Sequence, residues 1–244
     1  MSIREWFMRE PKRMKFDEAV DTGLDDGGKL ELEFVRGVIP DADTLNIGCW
    51  TGSFEERATG LAGSMTAVDI EPKALEVARK RVPEAEFIEA SVFDLPFEER
   101  SFDLVTLWEV IEHIPVGTEA SALSEIARVL RPGGYLALST PNASLFSRLG
   151  DPAHFLAGHR HYSAARISSE LARAGFSIER IDVLGGWCSV LGVLVFYAFK
   201  WLFHRRPPEW KWLAGARAAD EAKPGFNTLY VLARRGKPDS TTTI

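Results

Sequence analysis

A single α/β domain built on a doubly wound, mostly parallel sheet is what this 244-residue sequence predicts, and three observations carry that reading. Short apolar runs alternate along the chain with segments of helical composition. The first run empties into a turn with glycines at 48 and 52. The second ends on Asp69, 21 residues after Gly48. That is about the 20-residue spacing at which a nucleotide-binding βαβ unit offers a carboxylate to ribose hydroxyls.

Strands are expected near 43–48, 65–70, 86–90, 102–108 and 134–140, with helices near 52–62, 72–81 and 119–130. Thr44 to Ile47 leads into Gly48-Cys49-Trp50-Thr51-Gly52, after which Phe54 to Ala58 favours helix. Its glycines permit an unusual φ or the approach of a ligand to bare backbone. Pro72 suits the first turn of the next helix. Ser163 reads as the cap of a helix that Gly175 ends, and a strand follows over 176–183. The last strand is expected over 226–234. The chain divides into an N-terminal helical cap (1–42), a core (43–183), an apolar helical excursion (184–225), a completing strand (226–236) and a frayed tail (237–244).

Composition narrows the function classes. A hydrophobic content of 45% supports one substantial core, and a net charge of −6 argues against a nucleic-acid partner. Only two cysteines occur, Cys49 in the glycine turn and Cys188 in the apolar run, so no disulfide framework is implied and a cytoplasmic setting is the default. The first residues lack the long apolar core of a secretory signal.

A dinucleotide would require a third glycine and free N–H groups aimed at a pyrophosphate, whereas Trp50 stands in that turn. A nucleoside ligand without phosphates fits better. Here the chain resembles the class I S-adenosylmethionine-dependent methyltransferases, whose first motif reads Asp-x-Gly-x-Gly-x-Gly. Gly48 and Gly52 match, while Asn46 replaces the acid and Trp50 a glycine. The likeness extends through Phe87 to Phe97, Ser101 to Ile114, and the Pro132-Gly133-Gly134 turn with the run to Asn142. It implies a Rossmann-like sheet whose last strand inserts antiparallel, and S-adenosyl-L-methionine as cofactor. By the family's pattern, the methionine end lies near Asn46, Gly48, Trp108 and Glu109. Asp69 holds the ribose, and Ser91 with the Val92 backbone meets the adenine. Cys49, Trp50, Gly52 and Ile70 complete the cofactor-binding set.

A methyl acceptor would enter from the same crevice. His113, after the fourth strand, and His159 and His161, before the capped helix, are the candidate bases, because histidine titrates near neutrality. The alternative for each is a structural hydrogen bond. No third ligand stands out beside the i, i+2 pair His159 and His161, so no metal is expected. The Glu112-His113 pair and the Gly158 to Ser163 segment look like family members that methylate oxygen on small molecules, quinone-type rings or saccharides. Two other classes compete: a protein that keeps the cofactor pocket without turnover, motivated by the uncharged Asn46 and Ser91, and a nicotinamide-dependent oxidoreductase, opposed by Trp50.

Residues 187–203 are apolar almost throughout and meet His204-Arg205-Arg206. One membrane crossing there would strand the final β-segment on the far side of the bilayer from its sheet. Three readings stand: a helix buried in the core or a homodimer interface, a wall of an apolar substrate pocket that takes a hydrophobic or lipid-linked acceptor, and an element lying in a membrane surface. Trp6, Phe7 and Met8, mixed with Arg4, Arg9, Lys12, Arg13 and Lys15, form a pattern compatible with a basic amphipathic arm; an ordinary solvated helix covering the site is the other reading.

Overall fold

Asp43–Ile47 forms strand β1, and four of its five residues are buried. A strand covered on both faces is apolar without alternation, and β2 (Ser64–Asp69) and β4 (Phe102–Trp108) share that pattern. A computed structural model of the chain describes residues 28–156, 158–203, 208 and 210–236. Among these residues, the three strands join β3 (Glu86–Glu89), β5 (Leu130–Pro141), β6 (Phe176–Leu184) and β7 (Thr228–Arg235) in one seven-stranded sheet. Its order is β3-β2-β1-β4-β5-β7-β6. The pairs from β3 to β5 are parallel, while β7 runs antiparallel between β5 and β6. The direction of winding switches between β1 and β4, and the carboxyl ends of those strands frame a crevice where such folds bind ligands.

Helices cover both faces. On one side α4 (Glu119–Val129) and α7 (Ala164–Arg173) bring Leu123, Ile126, Ile167 and Leu171 onto Val105, Leu107, Leu136 and Leu138. On the other, α1 (Lys29–Val35) and α2 (Ser53–Ala58) bury Phe34, Val35, Phe54 and Ala58 against Leu104, Ala137 and Tyr230. Pro72 opens α3 (Pro72–Arg81), and the Ser163 hydroxyl accepts the Arg166 N–H at the start of α7, as their residue types predict.

The last strand starts two residues later than expected, and two boundaries differ by more. Strand β5 begins at Leu130 because Leu130 already pairs with Phe102, after which a register shift restores pairing at Tyr135 with Leu104. Arg131, inside this irregular stretch, is fixed by Asp43 at 2.9 Å and Asp103 at 2.5 Å. Helix α2 stops at Ala58, where the chain turns through Gly60.

Beyond β5 lie two short helices, α5 (Leu145–Gly150) and α6 (Pro152–Leu156). The apolar segment forms α8 (Trp187–Ala198) and a π-helical turn (Phe199–Phe203), and α9 (Lys211–Glu221) returns the chain to β7. Helix α8 buries Ser189, Val190 and Gly192 but exposes Trp187, Leu191 and Leu194, so it is a covering helix and not a core one. It crosses α5 closely: a Cβ added at Gly150 would stand 2.4 Å from Val190 Cγ1. Among the described residues no helix is long and apolar enough to cross a membrane. The basic N-terminal arm, His204-Arg205-Arg206 and the tail 237–244 lie outside the described residues.

Candidate active site

A cavity of about 350 Å³ opens at the switch point. The glycine turn forms one wall with Asn46, Gly48, Cys49, Trp50 and Ser53. Phe54, Trp108 and Glu109 make the floor at the end of β4. The opposite wall comes from the excursion, through Ser189 and Val193 of α8 and Arg217 and Glu221 of α9, with Tyr230 of β7 beside them. Leu30 and Glu31 of α1 close the remaining side.

The turn is built for its glycines. Gly48 and Gly52 have φ of 79° and 80°, and a Cβ on Gly48 would meet Val110 Cγ2 at 2.4 Å. Trp50 adopts φ 47°, a conformation uncommon outside glycine. Its N–H donates to Asp69 Oδ2 at 2.8 Å, and the other oxygen of Asp69 accepts from the Glu71 N–H at 2.9 Å. The acid at the end of β2 is thereby locked against the turn. The Trp50 side chain lies along the cavity wall, 42% exposed, without filling the hollow.

Asn46 is buried, and both ends of its amide are engaged. Nδ2 donates to Glu55 Oε1 at 2.6 Å, and Oδ1 accepts from the Thr106 hydroxyl at 2.8 Å. Glu55 is fully buried, and burial lifts its pKa to about 7. Its second oxygen, Oε2, has no hydrogen-bond partner among the described residues. A carboxyl therefore stands directly behind the asparagine that replaces an acid. Its signal was one glutamate in the first turn after Gly52, but that turn also offers Glu56, and only the rotation of α2 separates the buried acid from the exposed one. Arg217, Glu221 and Tyr230 were also missed, because they come from segments more than a hundred residues past the turn.

Of the expected cofactor residues, Asn46, Gly48, Cys49, Trp50, Trp108 and Glu109 line the cavity; Gly52, Asp69, Ile70, Ser91 and Val92 do not. Gly52 instead packs near Ala78 of α3, Ile70 is 73% exposed, and the Ser91 hydroxyl accepts the Phe93 N–H. Val92 is buried in the core, and burial raises the Cys49 thiol pKa far above its ordinary value. Trp108 packs against Phe34, Phe54 and Tyr230, with ring centroids at 6.5, 5.6 and 6.4 Å. Its indole N–H has no partner among the described residues.

The structure does not bring His113, His159 or His161 to the cavity wall. They gather beside it, His113 over His159 at 4.9 Å between ring centroids and His161 at 6.1 Å from His159. His161 is buried, which lowers its pKa to about 4. His113 keeps one side in solvent, yet desolvation by its neighbours, then His159 and Arg160, lower its pKa to about 4 as well. Neither is a strong base at neutral pH. Arg160 holds the arrangement: its guanidinium donates to the carbonyls of Ile111, Glu112 and Ile114 and to Glu119. The ligand atoms of Glu112, His113 and His159 all lie within 4.8 Å of one another, and the other face of the His159 ring is tied to Asp151, Nδ1 to Oδ2 at 2.7 Å.

Residues 45–138 match a family described as a methyltransferase domain. The chain is 33% identical over 143 residues to a "Probable S-adenosylmethionine-dependent methyltransferase" of Mycolicibacterium smegmatis, covering 59% of this chain and 54% of that one. It is 32% identical over 170 residues to a ubiquinone biosynthesis O-methyltransferase of Xanthomonas euvesicatoria, covering 63% of this chain and 70% of that one. It thus spans about half the length of the mycobacterial relatives it matches. An S-adenosylmethionine-dependent methyltransferase of known structure from Mesorhizobium loti shares the fold, with a TM-score of 0.62 at 19% identity over 87% of this chain and all of that one.

Proposed function

This chain belongs to the S-adenosylmethionine-dependent methyltransferases, and on that premise we propose that it transfers the cofactor's methyl group to an oxygen of a hydrophobic small-molecule acceptor held against α8 and α9. One observation carries the reading: a single cavity runs from the glycine turn, across the end of β4, to the apolar excursion. Donor and acceptor would meet over Trp108.

The residues present fit the cofactor. Gly48 and Trp50 offer main chain at the bend, Asp69 offers a carboxylate with lone pairs left beyond its two backbone donors, and Glu55 supplies the negative charge that Asn46 lacks. That placement answers one of the two grounds for a non-catalytic binding protein, the uncharged Asn46; the other, the uncharged Ser91, is not affected by it. When bound, S-adenosylmethionine supplies an electrophilic methyl on a sulfonium. The protein's task is to place a nucleophile in line with it, and preorganisation of two reactants lowers a barrier by about 7–11 kcal/mol.

For the acceptor, Phe54, Trp108, Tyr230 and Val193 supply apolar surface, and the unpartnered Trp108 indole N–H is satisfied by a substrate oxygen. The exposed side of α8, with Trp187, Leu191 and Leu194, supports delivery of that acceptor from an apolar surface such as a membrane. Thermal-shift titration checks the cofactor: S-adenosylhomocysteine should raise the melting temperature and NAD should not, the reverse result ending the methyltransferase assignment. Methyl transfer from labelled cofactor to an apolar extract fraction, absent from a water-soluble one, checks the acceptor class.

A further inference from the structure

We propose that Glu112, His113 and His159 form a binding site for one divalent transition metal ion, of the zinc class, beside the cavity. Their ligand atoms lie within 4.8 Å of one another, and the set of two imidazoles and one carboxylate suits zinc and its neighbours in the first row.

Three details favour a cation over a plain hydrogen-bonded cluster. The first is the orientation of His159. Nδ1 lies 2.7 Å from Asp151 Oδ2 and so carries its proton toward that carboxylate, which leaves the Nε2 lone pair pointing elsewhere. A carboxylate behind a ligating imidazole is the usual second layer of a zinc site, fixing both tautomer and ring direction. The second is what Nε2 faces. Glu112 Oε1 stands 3.8 Å away, so a lone pair opposes a carboxylate oxygen at a distance too long for a hydrogen bond. Two ligands on a tetrahedral zinc stand about 3.4 Å apart, given bonds near 2.0–2.1 Å. The third is that Glu112 is fully buried. Its Oε2 accepts from the Thr140 hydroxyl at 3.1 Å, but Oε1 accepts from no donor among the described residues. A buried carboxylate oxygen aimed at an imidazole lone pair is stabilised by a positive charge between them.

The site is also preorganised. Arg160 ties the loop after β4 to the strand-like segment before α7 through three backbone carbonyls, which holds His113 over His159. Arg160 contributes no ligand and spends its charge on Glu119 at 2.6 Å. His113 is the solvent-exposed member, so an ion can enter from that side and keep a position open for a water or a substrate oxygen. Glu109, three residues before Glu112, lines the cavity. The ion would therefore be held by the same loop after β4 that begins at the cavity with Glu109.

The test uses the full chain without an affinity tag, stripped by chelator and freed of it. It is titrated with Zn²⁺ by calorimetry and with Co²⁺ by visible absorption. A single equivalent should bind, with the ligand-field bands of a low-coordinate Co²⁺. His113→Ala and His159→Ala should each weaken Zn²⁺ binding more than Asp151→Asn does, whose expected loss is about 10–100-fold. S-adenosylhomocysteine affinity, measured in parallel, should be unchanged in all three variants and shows that each is folded. Absence of stoichiometric binding to the wild-type chain overturns the proposal. So does Zn²⁺ binding that survives in the double variant His113→Ala/His159→Ala. Neither result bears on the methyltransferase reading, which stands or falls with the cofactor titration.

Discussion

Asn46 Nδ2 lies 2.6 Å from Glu55 Oε1, so the residue that replaces an acid in the glycine motif is itself hydrogen-bonded to a buried acid nine positions later. The two act as one polar unit, with Thr106 on the amide's other end. Because burial raises the Glu55 pKa to about 7, the charge of this unit is governed by pH. The folded pKa lies above the ordinary carboxylate value of 4.5, so between those two pH values the folded state holds more protons than the unfolded one. Stability on this account is full below about pH 4.5 and falls as pH rises toward 7, by on the order of 3 kcal/mol. Glu55→Gln keeps the acceptor for Asn46 and should abolish that fall. Denaturant titrations of both proteins at pH 5.5 and 8 check it; the same change in unfolding free energy between the two pH values in both proteins would mean the group is not perturbed. The same variant should lose cofactor affinity at pH 8 and little at pH 6.

Asp69→Ala is expected to weaken S-adenosylhomocysteine binding by about 1–3 kcal/mol, from loss of charge-assisted hydrogen bonds to the ribose. It should also loosen the turn, since Asp69 Oδ2 is the acceptor for the Trp50 N–H. Calorimetry on wild type and variant gives the number. Undiminished affinity would remove the acid from the binding site.

Val193→Trp should separate the two ends of the cavity. Val193 lines the cavity from α8, on the excursion and not on the glycine turn. Cofactor affinity should stay within about twofold of wild type while methyl transfer to an apolar acceptor is lost. Parallel loss of both would mean that the excursion serves the donor and not the acceptor.

Gly150→Ala should cost about 1–3 kcal/mol, because the added methyl has no room beside Val190 and the two helices must part. A thermal melt shows the effect directly, and Val190→Ala in the same chain should recover part of it.

The exposed side of α8 should respond to a lipid surface. With phosphatidylglycerol vesicles, the wild-type chain is expected to sediment, and Leu191→Glu/Leu194→Glu to remain in the supernatant with its melting temperature unchanged. Wild-type protein that stays in solution at all vesicle concentrations would leave that face to contacts between copies of the chain.

The sheet was legible because its signals are local. An apolar run, a turn glycine and Pro72 each act within a few residues, and the strands they predict agree with β1 to β4 to within one residue at each end. The glycine turn was legible for the same reason. Side-chain partnerships across the fold were not. Asn46 looked like a lost charge because the position of Glu55 depends on which way α2 faces. The pair His159 and His161 looked like the natural unit, and both rings do face Asp151, but His161 is not part of the cluster that His159 forms with Glu112 and His113. His159 finds its neighbours, Glu112 and His113, only because Arg160 draws a distant loop against it. The excursion's apolar composition fitted a core helix, a pocket wall or an interface equally well, and only its placement shows Val193 turned to the cavity and Leu191 to solvent.

Helices α8 and α9 leave the sheet at β6 and return at β7, two strands that pair directly with each other. An insertion of almost any length can hang from such a hairpin without disturbing the ladder, and here it reaches back over the mouth of the cavity. On the proposed reading, acceptor preference would be housed in this insertion, while the parts that grip the donor are woven into the parallel half. The same placement would let the insertion change in length or sequence without unpairing a strand of the sheet.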